Sequence, residues 1–142
     1  MALQIIDYAS QEYRQMLDLR NHILRAPLGL SLTEEDIEQD KNNILIGAFE
    51  DKKMLGCCML VREEDLLLLR QMAVLNDLQG KGIGRALLHF AEAIAKDIGY
   101  KELSMYARKS VSGFYIRMGY TQIGEEFLKV TIPHVMMKKR LF

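Results

Sequence analysis

An α/β (α+β) domain built on a mixed central sheet is what this chain of 142 residues predicts, on three observations. Strand-like and helix-like segments alternate in the order β-α-α-β-β-β-α-β-α-β-β, with no linker, internal repeat or low-complexity stretch. The three central strands are separated by charged turns too short to hold a helix, Asp51-Lys52-Lys53 and Glu63-Glu64-Asp65, which makes them an antiparallel meander. The third of them then runs through a glycine-rich turn into a helix and a further strand, a parallel crossover of right-handed sense. A meander feeding a crossover gives a sheet of mixed direction. The length suits one domain, 1–142, with a sizeable core.

Each element has its own signal. Leu3–Tyr8 reads as a first strand. Ser10 is an N-cap for a helix from Gln11 to Arg25, with Tyr13, Met16, Leu17, Ile23 and Leu24 at helical spacing and Pro27 and Gly29 to stop it. Thr33, with Asp36 three residues on, starts a short second helix that ends before Asn42-Asn43. The meander strands span about 43–50, 55–62 and 66–74. A helix over 82–98 is closed by Gly99, a strand over 102–107 follows, and a helix over 110–118 is closed by Gly119. A strand pair at about 121–130 and 134–141 completes the sheet.

Composition removes several function classes. Nineteen basic and nineteen acidic residues leave no net charge, so no general attraction to nucleic acid or to an anionic membrane is expected. No apolar run approaches the length that spans a bilayer, and the N-terminus lacks the basic flank and apolar stretch of a signal peptide. Cys57 and Cys58 are adjacent in a strand, point to opposite faces and are expected to be buried, reduced thiols of a cytoplasmic protein. His, Cys and acidic residues do not cluster at metal-ligand spacing, so no metal is expected.

The run Leu78-Gln79-Gly80-Lys81-Gly82-Ile83-Gly84-Arg85-Ala86 carries the chemistry. Alternate glycines at a strand-to-helix turn remove the Cβ atoms that would keep an anion from the backbone. The free N–H groups of the helix's first turn then face that anion, and the helix dipole favours it. Lys81 and Arg85 add positive charge at the same spot. The spacing fails the P-loop, which needs G-x-x-x-x-G-K-[ST], and fails the G-x-G-x-x-G dinucleotide fingerprint, so ATP and NAD are disfavoured. Glu102 stands about twenty residues on, but it begins a strand, whereas a ribose-binding acid would end one.

Gln79-Gly80-Lys81-Gly82-Ile83-Gly84 instead fits [QR]-x-x-G-x-[GA], which resembles the pyrophosphate loop of the GNAT superfamily of acetyl-CoA-dependent N-acetyltransferases. The preceding Arg70-Gln71-Met72-Ala73-Val74 is similar to that family's R-x-A-V strand. Ala107-Arg108-Lys109-Ser110-Val111-Ser112-Gly113-Phe114-Tyr115-Ile116-Arg117-Met118-Gly119-Tyr120 resembles its A-R-x-x-A-x-x-F-Y-x-x-x-G-[FY] segment, with Val111 in place of the usual alanine. Ile132-Pro133-His134-Val135-x-Met137 resembles the I-P-H-x-x-M ending of one bacterial branch.

The resemblance implies the GNAT acyl-CoA N-acyltransferase fold, with the strands before and after the glycine loop splayed at their C-terminal ends. It implies acetyl-CoA as co-substrate, held by Gln79, Gly80, Lys81, Gly82, Ile83, Gly84 and Arg85, by the main chain of Met72, Ala73 and Val74, and by Phe114 and Tyr115. It also allows a homodimer through edge strands. In such a reaction an amine attacks the thioester directly, an oxyanion forms, and a thiolate leaves. The Val74 N–H is then the oxyanion donor, a contact of a kind worth about 3 kcal/mol. Tyr115 occupies the general-acid position, since a phenol of ordinary pKa about 10 can donate to the departing thiolate. His134, with an ordinary pKa of about 6.5, is a candidate base for the acceptor amine.

Other readings carry less. His22 and His89 fall on helical segments as surface or boundary residues, and Glu63-Glu64-Asp65 reads as a solvated turn. Glu125-Glu126 are weak candidates for reaching an amine. Most of the nine methionines are core filler, although Met16, Met105 and Met118 are candidates for an adaptable pocket. Arg20, Arg25, Leu28, Leu30 and His134 are expected to set acceptor specificity. The acceptor is expected to be a small-molecule amine, not protein or nucleic acid. The alternative to an enzyme is a non-catalytic CoA- or acyl-CoA-binding or sensing domain that keeps the cradle without turnover.

Overall fold

The computed structural model describes residues 1–142. Its strands are β1 (Ala2–Ile6), β2 (Ile44–Glu50), β3 (Lys53–Glu63), β4 (Leu66–Val74), β5 (Glu102–Arg108), β6 (Thr121–Lys129) and β7 (Ile132–Arg140). Its α-helices are α1 (Gln11–Arg20), α2 (Glu34–Gln39), α3 (Ile83–Asp97) and α4 (Ser112–Arg117). All seven strands join one sheet in the order β1-β2-β3-β4-β5-β7-β6. Every neighbouring pair is antiparallel except β4 and β5, which the α3 crossover makes parallel. The mixed sheet and the element order are those the sequence predicts.

Two hydrophobic cores follow from strand alternation. Beneath α3 and α4, Ile46, Cys58, Leu60, Leu69, Leu103, Met105, Val135 and Met137 meet Leu87, Leu88, Ala91 and Ala95. The helix contributes residues at i, i+1, i+4 and i+8 because that stripe is the face turned to the sheet. Each fully buried leucine contributes about 2 kcal/mol. On the opposite face Tyr13, Met16 and Leu19 of α1 pack on Leu45, Phe49, Cys57, Met59 and Ala73. Cys57 and Cys58 thus lie in different cores and are free thiols. Burial pushes the Cys57 thiol up to about 12 and raises Cys58 as well, so neither is a ready nucleophile.

Two local irregularities depart from the sequence reading. The first helix is not regular to Arg25. It leaves α-geometry after Arg20, continues as a π-turn over Asn21–Arg25, and ends in a 3₁₀ turn over Ala26–Leu28. Pro27 has no N–H with which to continue a helix, and Gly29 takes the left-handed conformation that closes it. A π-turn bonds residues five apart, as Ala26 N–H does to Asn21 O, so Arg25 comes round near Arg20 and not away from it. The second irregularity is a β-bulge in β4. Ala73 pairs with Cys57 and Arg70 with Met59, so Gln71 and Met72 together face Cys58. Gln71 carries the extra residue at φ 57°.

The second helix obeys its predicted cap. The Thr33 hydroxyl accepts from Asp36 N–H at 3.1 Å and Asp36 Oδ2 accepts from Thr33 N–H at 2.9 Å, a complete capping box. The last helix is fixed from its far end. Tyr120 OH donates to Glu92 Oε2 at 2.7 Å, and Lys139 Nζ reaches Glu92 at 3.2 Å and Met118 O at 3.0 Å. This buried network ties α3, the end of α4 and β7 together. No helix is long and apolar enough to cross a membrane.

Candidate active site

The glycine loop folds as an open cradle. Leu75 N–H closes β4 on Leu55 O at 3.0 Å, and a 3₁₀ turn over Asn76–Leu78 leads away from the sheet. Gln79 Nε2 braces that turn by donating to Val74 O at 3.2 Å and Asn76 Oδ1 at 3.3 Å. Gly80 and Gly82 both adopt left-handed φ, 84° and 87°, and open space lies where a Cβ would stand at either. Gly82 is the N-cap of α3, and no side chain caps the helix. The first bond into the helix is Ala86 N–H to Gly82 O at 3.0 Å. The N–H groups of Ile83, Gly84 and Arg85 therefore have no intrahelical acceptor and point into the cradle.

The flanking side chains complete it. Lys81 and Arg85 are exposed, and neither belongs to any of the molecule's ion pairs. Ile83 is buried under the sheet, so only its main chain can serve the cradle. Phe114 of α4 closes the other side, with Cζ 3.7 Å from where a Gly84 Cβ would sit. Gly56 of β3 is needed for the same packing. A Cβ there would meet Ile83 Cγ2 at 3.0 Å and Ala73 O at 3.1 Å, so glycine lets the first turn of α3 lie directly on the sheet. An open groove of about 720 Å³ beside the loop is lined by Leu78, Lys81 and Ile83 together with Glu50, Asp51 and Asp77, so the N–H cradle and not this groove is the place for an anion. This donor set fits a pyrophosphate. Lys81→Ala and Arg85→Ala are each expected to weaken acetyl-CoA binding by roughly 1–2 kcal/mol, with smaller losses for a pantetheine fragment lacking phosphates. Calorimetry on both ligands checks this, and equal losses for the two would show that these side chains act elsewhere.

Next to the cradle the sheet opens. β4 and β5 share a single bridging pair, Leu68 with Ser104, and part beyond it. The direction of the open main-chain groups follows from alternation. Leu75 N–H is bonded to β3, so Ala73 also turns toward β3, while Met72 and Val74 turn theirs toward the gap. The Val74 carbonyl is taken by Gln79. Its N–H faces the gap.

Tyr115 and His134 flank the open end of β5 from opposite faces. Tyr115, 6% exposed, belongs to the core under α3 and stands edge-on to Phe114 and Tyr120, with ring centroids 5.0 and 5.9 Å away. Burial, and then the nearby Cys58, raises its phenol above the ordinary range, so it is held as an acid and not as a phenolate. His134, 8% exposed, pairs with Arg108 at the end of β5. Its neighbours Val135 and Met137 point into the α3 core, which puts His134 on the other face. The ring stacks on Phe127 at 6.0 Å, and Nδ1 lies 2.7 Å from Ile132 O. A carbonyl only accepts, so Nδ1 carries the proton there and Nε2 keeps the lone pair a base would use.

Several residues expected at the acceptor end sit elsewhere. Met16 is buried in the core under α1, Met105 in the core under α3, and Met118 packs against the latter, so all three serve as core filler. Leu30 is exposed, and neither Leu28 nor Leu30 lines the cavity beside β4. Arg20 and Arg25, by contrast, both line the cavity beside β4. Arg20 is 1% exposed and bonded through Nη1 to Asp40 Oδ2 at 2.7 Å, so its first role is structural. Tyr13 OH donates to the same oxygen at 2.6 Å. His22 and His89 are exposed, as are Glu125 and Glu126 on β6. No group of three or more His, Cys, Asp or Glu residues is placed to hold a metal ion.

What the sequence reading missed is a second cavity, of about 260 Å³, between the π-turn, α2, β3 and the β4 bulge. Arg20 and Arg25, already expected at the acceptor end, line it with Arg70 and Gln71, which lie inside the strand segment singled out by its letters.

The whole arrangement is that of an acyl-CoA N-acyltransferase fold. An acyl-CoA N-acyltransferase from Pseudomonas aeruginosa superposes with a TM-score of 0.84 at 20% identity, covering 97% of this chain and 98% of that one. A structure of an aminoglycoside 6'-N-acetyltransferase complexed with coenzyme A superposes with a TM-score of 0.84 at 15% identity, covering 100% and 98%. The family model of the acetyltransferase (GNAT) domain matches residues 26–141, and the chain belongs to that family. An uncharacterized N-acetyltransferase of Chlorobaculum tepidum is 37% identical over 76 residues, 53% of this chain and 48% of the relative, so that match spans about half of the relative's length. The uncharacterized N-acetyltransferase YitI of Bacillus subtilis is 25% identical over 135 residues, covering 87% and 89%.

Proposed function

We propose that this GNAT protein is an acetyl-CoA-dependent N-acetyltransferase that acts on a small amine by direct transfer within a ternary complex. One observation carries the reading. An uncapped helix N-terminus with left-handed glycines at 80 and 82 opens beside the gap where β4 and β5 part. Pyrophosphate suits the first place and an extended amide-bearing arm suits the second. The shared fold includes an enzyme solved with coenzyme A, which agrees with this ligand.

The residues divide the work. Gly82, Ile83, Gly84 and Arg85 bind the pyrophosphate through N–H groups, and Lys81 and Arg85 add charge. Met72 and Val74 align the arm along the β4 edge. Acetyl-CoA supplies an activated acyl group. The Val74 N–H donates to the oxygen on which charge develops. Tyr115 donates its proton to the departing sulfur. Burial raises the phenol, and the same desolvation makes the thiolate more basic, so transfer depends on both groups sharing the dry pocket. His134 Nε2 takes a proton from the acceptor's ammonium, so that the nitrogen presents a lone pair.

The test is release of CoA thiol from acetyl-CoA across a panel of amines. Acceptor-dependent release is the expected result. Tight acetyl-CoA binding without release for any amine would replace the enzyme with a CoA-sensing domain.

A further inference from the structure

We propose that the acceptor is an amine that also carries a carboxylate, an amino-acid-like small molecule whose anionic group is held by Arg25 and Arg70 in the cavity beside the β4 bulge. The proposal rests on the acetyltransferase reading above and adds the class of acceptor.

The position is the first argument. Gln71, the left-handed bulge residue, lines this cavity and directly precedes Met72, and Val74 is three residues on. A ligand seated there lies next to the point where β4 and β5 part. Its volume, about 260 Å³, falls below the range that holds drug-sized ligands and suits a small molecule.

The second argument is the charge left over after every internal partner is counted. Three arginines, Arg20, Arg25 and Arg70, line the cavity with two aspartates. Asp40 is paired with Arg20 and Tyr13. Asp36 accepts from Thr33 N–H but keeps its charge, which acts on Arg25 and Arg20. Three arginines against two aspartates leave the lining one positive charge in excess. Arg25 takes part in none of the five ion pairs of the molecule, and its Nε is buried without a partner. Arg20 Nε is buried without a partner as well, in a side chain that is 2% exposed. Arg70 has only Glu63, at 3.9 Å.

A further cation lies close enough to feel Arg70 and Arg25, though it does not line the cavity. Lys129 of β6 lies over the Tyr106 ring at 5.6 Å. Burial, then Arg70 and, more weakly, Arg25, hold its ammonium below the ordinary lysine range, with Glu63 opposing. Arg25 of the π-turn and Arg70 of β4 both line the cavity and attract an anion placed there. A guanidinium offers a carboxylate two parallel N–H donors, and Arg25 lines the cavity with no ion-pair partner of its own. A polycationic amine would add charge to a lining that already carries three arginines against two aspartates.

The experiment compares matched acceptors in the thiol-release assay. Small amino acids, their carboxamides, an aminoalkyl phosphate and a polyamine form the panel. We expect kcat/KM for amino acids at least about 100-fold above that for their amides. Arg25→Gln and Arg70→Gln should each raise KM for the acid about ten-fold or more, narrow the gap between acid and amide, and leave acetyl-CoA affinity within two-fold. A preference for the aminoalkyl phosphate would reassign the anion from carboxylate to phosphate and overturn the carboxylate. Equal rates for acid and amide, or a preference for the polyamine, would overturn the proposal while acetyl-CoA binding stands. Should no amine turn over, N-acetylglycine and inorganic phosphate are titrated into the CoA-saturated protein. Saturable N-acetylglycine binding that Arg25→Gln abolishes supports the site, and its absence overturns it. Loss of acetyl-CoA binding itself would instead remove the acetyltransferase reading.

Discussion

Tyr115→Phe is expected to lower turnover about 10²–10⁴-fold, the range for a positioned general acid, while acetyl-CoA affinity and stability survive. The substitution removes one hydroxyl and keeps the ring, and the ring is what packs against Phe114 and Tyr120. Burial favours the neutral phenol, so the proton is available at any pH at which the protein is folded and active. The effect should therefore appear in kcat with little change in KM for acetyl-CoA. Single-turnover kinetics under conditions where chemistry limits the rate decides the matter. Wild-type kcat in the variant would remove the acid role and leave orientation and the Val74 N–H as the sources of rate.

The largest loss of stability is expected from Asp40→Ala, at about 3–5 kcal/mol. Arg20 and Asp40 are both almost completely buried, and Tyr13 OH shares the same carboxylate oxygen. Truncating the aspartate strands a guanidinium and a phenol in the α1 core, and the guanidinium already has an unpartnered Nε. Replacing both charged residues together, as Arg20→Met with Asp40→Leu, should cost much less, because no charge is then left alone. Urea denaturation of the two variants checks this. A loss below about 1 kcal/mol in Asp40→Ala would mean that the pair does not hold α1 to the chain around Asp40.

The fold was legible where neighbouring letters carried the signal. Charged turns at 51–53 and 63–65 set off the meander, and the alternate glycines at 80, 82 and 84 marked the strand-to-helix turn. Thr33 and Asp36 announced a capping box that the structure contains. The irregular backbone was not legible. Nothing in the letters says that Gln71 takes positive φ, since that conformation is imposed by the register between β3 and β4. The π-turn escaped for a similar reason. Ile23 and Leu24 continue an apolar spacing that reads as α-helix, while Pro27 constrains the end from outside the pattern. The cavity beside β4 was legible only in part: Arg20 and Arg25 were expected at the acceptor end, but Arg70 and Gln71 join them from a separate part of the chain. Arg20 and Arg25 looked equivalent as letters, yet one is spent on Asp40 and the other has no ion pair.

The central claim is that the loop at 79–85 holds the pyrophosphate of acetyl-CoA. It is tested most directly by calorimetric titration of acetyl-CoA into the wild-type protein and Gly84→Asp. Gly84 does not need left-handed φ, and its added Cβ would meet Phe114 only at an ordinary 3.7 Å, so the variant should fold. Its carboxylate would stand among the free N–H groups of α3. Saturable binding in the wild type, weakened about 100-fold or more in a variant with an unchanged melting temperature, is the result predicted, because two charge-assisted contacts at about 1.5 kcal/mol each are displaced. ATP and NAD should not compete. Unchanged affinity in the folded Gly84→Asp protein, or displacement of acetyl-CoA by either nucleotide, would contradict the assignment.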